Sequence, residues 1–514
     1  MGTTDNADEH ESLPGEPRSL WLDTTPETDF DPLSGDLRVD AAVVGGGIAG
    51  ITTATHLQEA GLDVAVLEAD RVLEAVTGHT TAKVTSQHGL IYDHVRSAFD
   101  VETARAYAAA NEAAIEDIAD RIEDRGIDCD FRRQSAYTYV TSRENRRAVR
   151  EEVSAARQAG IDAAFVEETP LPYDVECAVR FDDQAQFHPR KYLLDLVEAI
   201  PVDGSGVYEE TRVTDVESGD PCRVETERGT VYADSVVVAT HFPVFDHGFY
   251  FAREYPKRSY VLAARLNETP PDGMHYRDEE PYFSVRTQPG DGGEFVFIGG
   301  QNHKTGQGGS TAKRYRKLAE EARERFDVAS IEYRWSTQDY RTADRIPFVG
   351  RLGPSTDDVY VATGFGGWGM TGGTVAGMIL SDLIAGEPNP WADVYSPTRV
   401  ELRSTGAEML KENAEVAREF VGDWATKPLT SVVTLSPGDA TVTREGGSVV
   451  GTYRDADGKE YKVSAVCPHM GCLLEWNDGE KSWDCPCHGS RFTYEGEVLD
   501  GPANADLSRL DLDD

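Results

Sequence analysis

The sequence predicts an α/β protein built on a parallel sheet, followed by a small all-β domain. Three observations lead there. A glycine-rich turn joins a short apolar strand to a helix near residue 45, a second such turn falls near residue 364, and Cys and His cluster among short strands in the last fifty residues. At 514 residues the chain is several times the roughly 150 residues of one domain, so more than one core is expected.

Acidic residues number 91 against 50 basic ones, a formal charge of −41. A polyanion of that size repels nucleic-acid phosphates and anionic lipid, so no nucleic-acid partner is expected. With 11 Lys, 39 Arg and no block of like charge, the composition resembles that of proteins from salt-accumulating halophiles. No apolar run is long enough for a transmembrane segment, and the acidic opening has neither the basic nor the apolar region of a signal peptide. The expected compartment is the cytoplasm. Residues 1–36 read as an N-terminal arm, draped on the surface or disordered up to about Arg18.

Leu37–Val44 reads as a buried strand running into Gly45-Gly46-Gly47-Ile48-Ala49-Gly50, a G-x-G-x-x-G. A helix-compatible run from Ile48 to Ala60 follows, then Gly61 as a stop and a second strand, Asp63–Leu67, ending on Glu68. In that βαβ setting the first glycine makes the tight turn, the second admits the pyrophosphate, and the third lets helix and strand close up. The helix N-terminus faces the phosphates. Glu68, eighteen positions past Gly50, stands where a carboxylate accepts from ribose hydroxyls.

Residues downstream separate FAD from NAD. The strand Val236–Val238 runs into Ala239 and Thr240, and Val359–Thr363 leads into Gly364-Phe365-Gly366-Gly367-Trp368-Gly369-Met370-Thr371 and a helical run, Thr374–Leu383. A turn of this kind can lie under an isoalloxazine ring, its helix N-terminus stabilising negative charge on reduced flavin. No second nucleotide site is found: Ile298-Gly299-Gly300 lacks the remaining glycines, and Gly292-Gly293 reads as a hairpin turn. From Val39 to Tyr395 the chain resembles the FAD-dependent amine and amino-acid oxidoreductases, the family of glycine oxidase, D-amino-acid oxidase and sarcosine oxidase. The resemblance implies a two-domain, Rossmann-like FAD-binding fold of the DAO type. It implies that Gly45, Gly47, Ile48, Ala49, Gly50, Glu68 and Ala69 hold the ADP half, that the backbone near Val213 meets adenine, and that Ala239, Thr240 and Gly364 to Thr371 approach the flavin. The stretch Thr77–Lys83, with Thr80, takes the place of a loop passing over pyrophosphate and flavin. Some relatives attach FAD through a His there, which makes His79 the candidate, with a noncovalent contact preferred.

In the tail, Cys467, His469, Cys485 and His488 form C-x-H-x15-C-x-x-H. Two thiolates and two imidazoles also suit tetrahedral zinc, but the extra cysteines argue against it. The pattern resembles the Rieske 2Fe-2S domain over about Leu435 to Leu510, which implies a C-terminal all-β domain. One iron is then held by Cys467 and Cys485 and the other by His469 and His488, raising the potential above that of plant-type ferredoxins. With those four as ligands, Cys472 and Cys487 are left in matching positions, one per loop, able to close a disulfide. Ser490 matches a position whose hydroxyl bonds a cluster sulfur, and Phe492 stands where high-potential members carry Tyr. A potential below that of respiratory Rieske proteins follows. Gly501-Pro502-Ala503 resembles the loop that covers the cluster.

The expected domains are the oxidoreductase at 37–397, a linker helix at 398–428 and the Rieske domain at 429–514. In the linker, Glu401, Leu402, Ala407, Leu410, Ala414, Ala417, Phe420 and Val421 recur at helical spacing and predict an apolar face packed on the flavin domain; Pro428 and Pro437 mark the exit. Substrate-side strands are expected at Ala136–Val140, Ser259–Ala264 and Glu294–Ile298. His79, Lys83 and Arg286 are the candidate catalytic residues, with Asn302-His303-Lys304 as further polar groups and His188 either near the flavin or starting a helix. The expected activity is that of a dehydrogenase: a small amine or amino acid reduces FAD, the cluster drains the flavin, and an external acceptor, protein or quinone, takes the electrons. The alternative is an electron-transfer protein with no small substrate. A Rieske oxygenase is not expected, since such oxygenases typically carry a mononuclear iron domain after the Rieske motif and 26 residues follow His488 here.

Overall fold

The computed structural model describes residues 12–202, 204–245, 248–353, 356, 358–399, 402–426 and 434–510. The valine-rich segments of the sequence, apolar on both faces, become the parallel core of a sheet ordered Phe348–Arg351, Val359–Thr363, Gly229–Val238, Leu37–Val44, Val64–Leu67, Gly206–Tyr208. Only its first strand and a hairpin at residues 213–226 run antiparallel. The helices Ile48–Glu59 and Gly369–Ala385 pack together on this sheet, and glycine makes that approach possible: a Cβ on Gly377 would lie 3.0 Å from the Thr52 backbone.

A second sheet of nine strands runs from Val328–Thr342 through Glu254–Leu266, Gly293–Lys304, Phe283–Gly290 and Met274–Arg277 to Arg132–Val140, Cys177–Gln186 and Lys83–Val84. Behind them the C-terminal domain folds as two small antiparallel sheets around Trp483, Leu474 and Phe492. It docks on the strands Glu254–Leu266 and Val328–Thr342. Arg258, 1% exposed, pairs with Glu480, Ser310 Oγ donates to Asp478 at 2.5 Å, and a Cβ on Gly489 would lie 2.6 Å from Pro256.

The segment before Arg18 is draped on the surface where it is described, with residues 12–18 exposed or half-buried and Glu16 paired with the backbone of Glu332 and Arg334; beyond it Trp21 is fully buried with its Nε1 donating to Thr80 O at 2.7 Å. One expectation is corrected. The helix Leu402–Thr426 forms, but with the other face inward. Leu410 is 74% exposed and Ala414, Ala417 and Phe420 are exposed, whereas Lys304 binds Glu412 at 3.0 Å and Asn413 Nδ2 donates to Ala252 O. Ion pairs and an amide bond, invisible to hydrophobic period, set its orientation. Glu401 and Pro428, and the side chains of Leu402, Ala407 and Val421, lie outside the described residues.

Candidate active site and metal centre

A cavity of about 1980 Å³ runs from the glycine-rich turn, past the end of Gly229–Val238, to the second sheet and the C-terminal domain. At its nucleotide end Gly45 has φ +109°, and a Cβ there would meet Ala239 O at 2.5 Å. Gly50 lies behind the wall, where a Cβ would fall 1.9 Å from Gly45 O, so it serves the close packing of helix on strand. Glu68 accepts from Gly46 N at 2.7 Å and Asp70 N at 3.0 Å; burial raises its pKa and these N–H groups oppose the rise.

Gly45, Gly47, Ile48, Ala49, Glu68, Ala69, Val213, Ala239, Thr240, His79, Thr80 and Lys83 all line the cavity, as do Phe365, Gly366, Trp368, Gly369 and Met370. Gly364 and Thr371 do not; Thr371 Oγ1 donates to Thr85 O at 3.0 Å behind the wall. These residues offer what an FAD needs: a long groove, side-chain-free backbone at a helix N-terminus, and a carboxylate at the end of the second strand.

At the far end Lys83 is buried, with Nζ donating to Thr81 and Ser284 hydroxyls at 3.2 Å and lying 4.9 Å over the Tyr276 ring. Burial, then the nearby charge of Arg286, lowers its pKa to about 7. Arg286 itself is a correction. It lies between Trp21 and Phe297, donates to Ala82 O at 2.7 Å, and does not line the cavity. Of the further polar groups, Asn302 lines the cavity, His303 bonds Tyr260 and Gln307, and Lys304 pairs with Glu412. His188 caps the helix Pro189–Ala199, its Nδ1 accepting from Lys191 N.

Sequence reasoning missed Tyr276, Tyr282, Lys257, Asp278, Asp339, Arg341 and His241, which share this wall. Burial pushes Asp339 up to about 6, against the pull of His241. Burial would strip the proton from His241, but Asp500 of the C-terminal domain, 3.3 Å from Nδ1, more than offsets it and raises its pKa. One signal was available in the sequence, since alternation along a strand puts Asp339 and Arg341 on one face.

In the C-terminal domain two matching loops meet. Cys467 N donates to Cys472 O in one and Cys485 N to Ser490 O in the other, each turn finishing on a left-handed glycine, Gly471 or Gly489. A disulfide joins Cys472 to Cys487. Cys485 Sγ lies within 4.8 Å of both bridged sulfurs, but these, tied to each other, offer no thiolate. Cys467 and Cys485 remain as buried free thiols, and the rings of His469 and His488 meet edge to face at 5.1 Å. The Cys485 thiol, with backbone N–H groups of His469 and Met470 and the Ser490 hydroxyl, draws the Cys467 thiol below its ordinary pKa against its burial. His488 Nδ1 is buried with no hydrogen-bond partner, an orphaned polar atom in the same loop as Cys485. That donor set fits a cluster bound by sulfur and nitrogen. Ser490 Oγ also accepts from Ala503 N in the covering loop.

A family model of FAD dependent oxidoreductases, DAO, matches residues 40–383, and one of the Rieske [2Fe-2S] domain matches residues 426–511. The chain belongs to the DAO family of FAD-dependent oxidoreductases. It is 38% identical, over 97% of its length and 98% of the relative's, to YhfW of Bacillus subtilis (strain 168), named as a Rieske 2Fe-2S iron-sulfur protein. It is 24% identical to gamma-glutamylputrescine oxidoreductase of Escherichia coli (strain K12), over 70% of this chain and 86% of that one. Glycine oxidase from Geobacillus kaustophilus superposes with a TM-score of 0.58 at 19% identity, covering 71% of this chain and 99% of that chain. This DAO-family protein therefore couples an FAD-dependent oxidoreductase domain of the amine and amino-acid type to a Rieske domain, and binds FAD and a 2Fe-2S cluster. Among the described residues no helix is long and apolar enough to cross a membrane.

Proposed function

We propose that the protein is a dehydrogenase that oxidises a small amine or amino acid at a carbon–nitrogen bond and sends the electrons through its own Rieske cluster to an external acceptor, protein or quinone. When bound, FAD supplies a hydride acceptor and the 2Fe-2S cluster a one-electron acceptor. The glycine-rich turn and Glu68 hold the ADP half, Phe365 to Met370 support the flavin, and Cys467, His469, Cys485 and His488 hold the cluster. Tyr276 and Trp368, edge to face at 5.3 Å, close the substrate end against water. Arg341 and Lys257 offer cations for a substrate carboxylate. Lys83, with its pKa near 7, would hold or accept a proton at the substrate end of the cavity.

One observation carries the reading: the loop bearing His488 is hydrogen-bonded to the strand that forms the cavity wall, Tyr340 Oη donating to His488 O at 2.9 Å. Anaerobic mixing with a panel of N-methylated and primary amino acids tests it. Bleaching of the flavin followed by the electron spin resonance signal of the reduced cluster is expected. Bleaching by NADH alone, or a flavin that bleaches while the cluster stays oxidised, overturns it.

A further inference from the structure

The strand Val328–Thr342 lies between the two sites, and one of its residues is hydrogen-bonded toward both. Asp339 and Arg341 line the cavity; Tyr340, between them, turns the other way and is 1% exposed. Its backbone carbonyl accepts from Gly366 N at 2.8 Å, in the turn that forms the cavity wall, and its neighbour Arg341 bridges Phe365. Its hydroxyl lies 2.9 Å from His488 O and 2.8 Å from Gly501 O. A phenol has one proton, so it serves one carbonyl at a time. The ring is held by those of His241 and Phe242, both at 4.9 Å, and Gln338 Nε2 approaches the hydroxyl at 3.4 Å while donating to Gly489 O at 2.8 Å.

We propose that Tyr340 is the bridge by which electrons pass from the flavin side to the cluster. Covalent bonds and two hydrogen bonds, Gly366 N–H to Tyr340 O and Tyr340 O–H to His488 O, join the cavity wall to a ligand residue without a gap, and tunnelling falls off less steeply along bonds than across empty contacts. Each transfer takes one electron from the flavin side and reduces one iron of the cluster, while Tyr340 keeps its own proton and electrons. It is a positioning residue, and its role rests on the electron route proposed above.

The test uses the loaded, oxygen-free protein. A pulse of light with EDTA as electron donor reduces the flavin, and the cluster's absorbance and spin resonance signal are followed in wild type, Tyr340→Phe and Ser310→Ala. Phenylalanine keeps the packed ring and removes only the hydroxyl, whereas Ser310→Ala removes a docking bond to Asp478 that is off the route. Tyr340→Phe is expected to slow cluster reduction on the order of tenfold, because a contact gap replaces a hydrogen bond. The midpoint potentials of both centres should not move, and Ser310→Ala should keep the wild-type rate. A wild-type rate in Tyr340→Phe, an equal slowing in Ser310→Ala, or a potential shift that accounts for the slowing would each overturn the bridge. A wild-type cluster that stays oxidised after the pulse overturns the electron route itself.

Discussion

On the reading proposed above, Gly45 and Gly47 at the nucleotide end would clear space so that main-chain N–H groups and a helix end meet the ligand, with Gly50 packing the helix behind them, whereas in the C-terminal loops Cys467, His469, Cys485 and His488 would supply the donor atoms themselves. The first site is made by what is missing from the side chains, the second by what is present. The two therefore fail in opposite ways: the cradle when an atom is added, the cluster site when one is removed.

The largest effect expected from that contrast is Cys485→Ser. Losing one thiolate should abolish the cluster, seen as absent iron and spin resonance signal, while FAD stays bound. Gly50→Ala is the complementary break. The added carbon would lie 1.9 Å from a carbonyl that cannot retreat, so it should cost on the order of 3 kcal/mol in denaturant melts and empty the flavin site. Retained FAD in that variant would contradict the packing account. Replacing Cys472 and Cys487 together by Ala opens a loop of sequence separation 15 and should lower stability by about 3 kcal/mol, leaving the four ligand residues in place.

Cradle and cluster were legible in the sequence to different depths, for a physical reason. Ligand atoms on Cys and His are written in the residue names, and a glycine triplet between a strand and a helix states its backbone geometry. The substrate wall was not legible, because Tyr276, Lys257, Asp339 and Arg341 are brought together only when strands far apart in the chain pair. Arg286 misled because a cation on a strand edge does not reveal what covers it, here Trp21 and Phe297. The linker helix misled because the pull on Glu412 comes from Lys304, over a hundred residues away.

A smaller prediction sharpens the substrate end. Lys83 has a folded pKa near 7, below its unfolded value, so the folded state binds fewer protons between pH 7 and the ordinary lysine range. The penalty of burying its charge is full below pH 7 and fades as pH rises. Lys83→Met should gain stability most at pH 6, with the gain shrinking toward pH 10, as melts across that range would report; a gain independent of pH would contradict a titrating Lys83. The smallest effect expected is from Leu410→Ser, within about 0.5 kcal/mol, since that side chain faces solvent.

Arg258 extends the lesson to inheritance. Its guanidinium sits in the oxidoreductase domain, almost wholly withdrawn from water, and the carboxylate that answers it, Glu480, belongs to the Rieske domain. Replacing Glu480 alone by Leu in the full chain would strand a buried cation, a loss of some 3–5 kcal/mol. Swapping in a foreign tail carries the same penalty unless it brings an acid to the same spot, so the two domains are bound to descend as a pair.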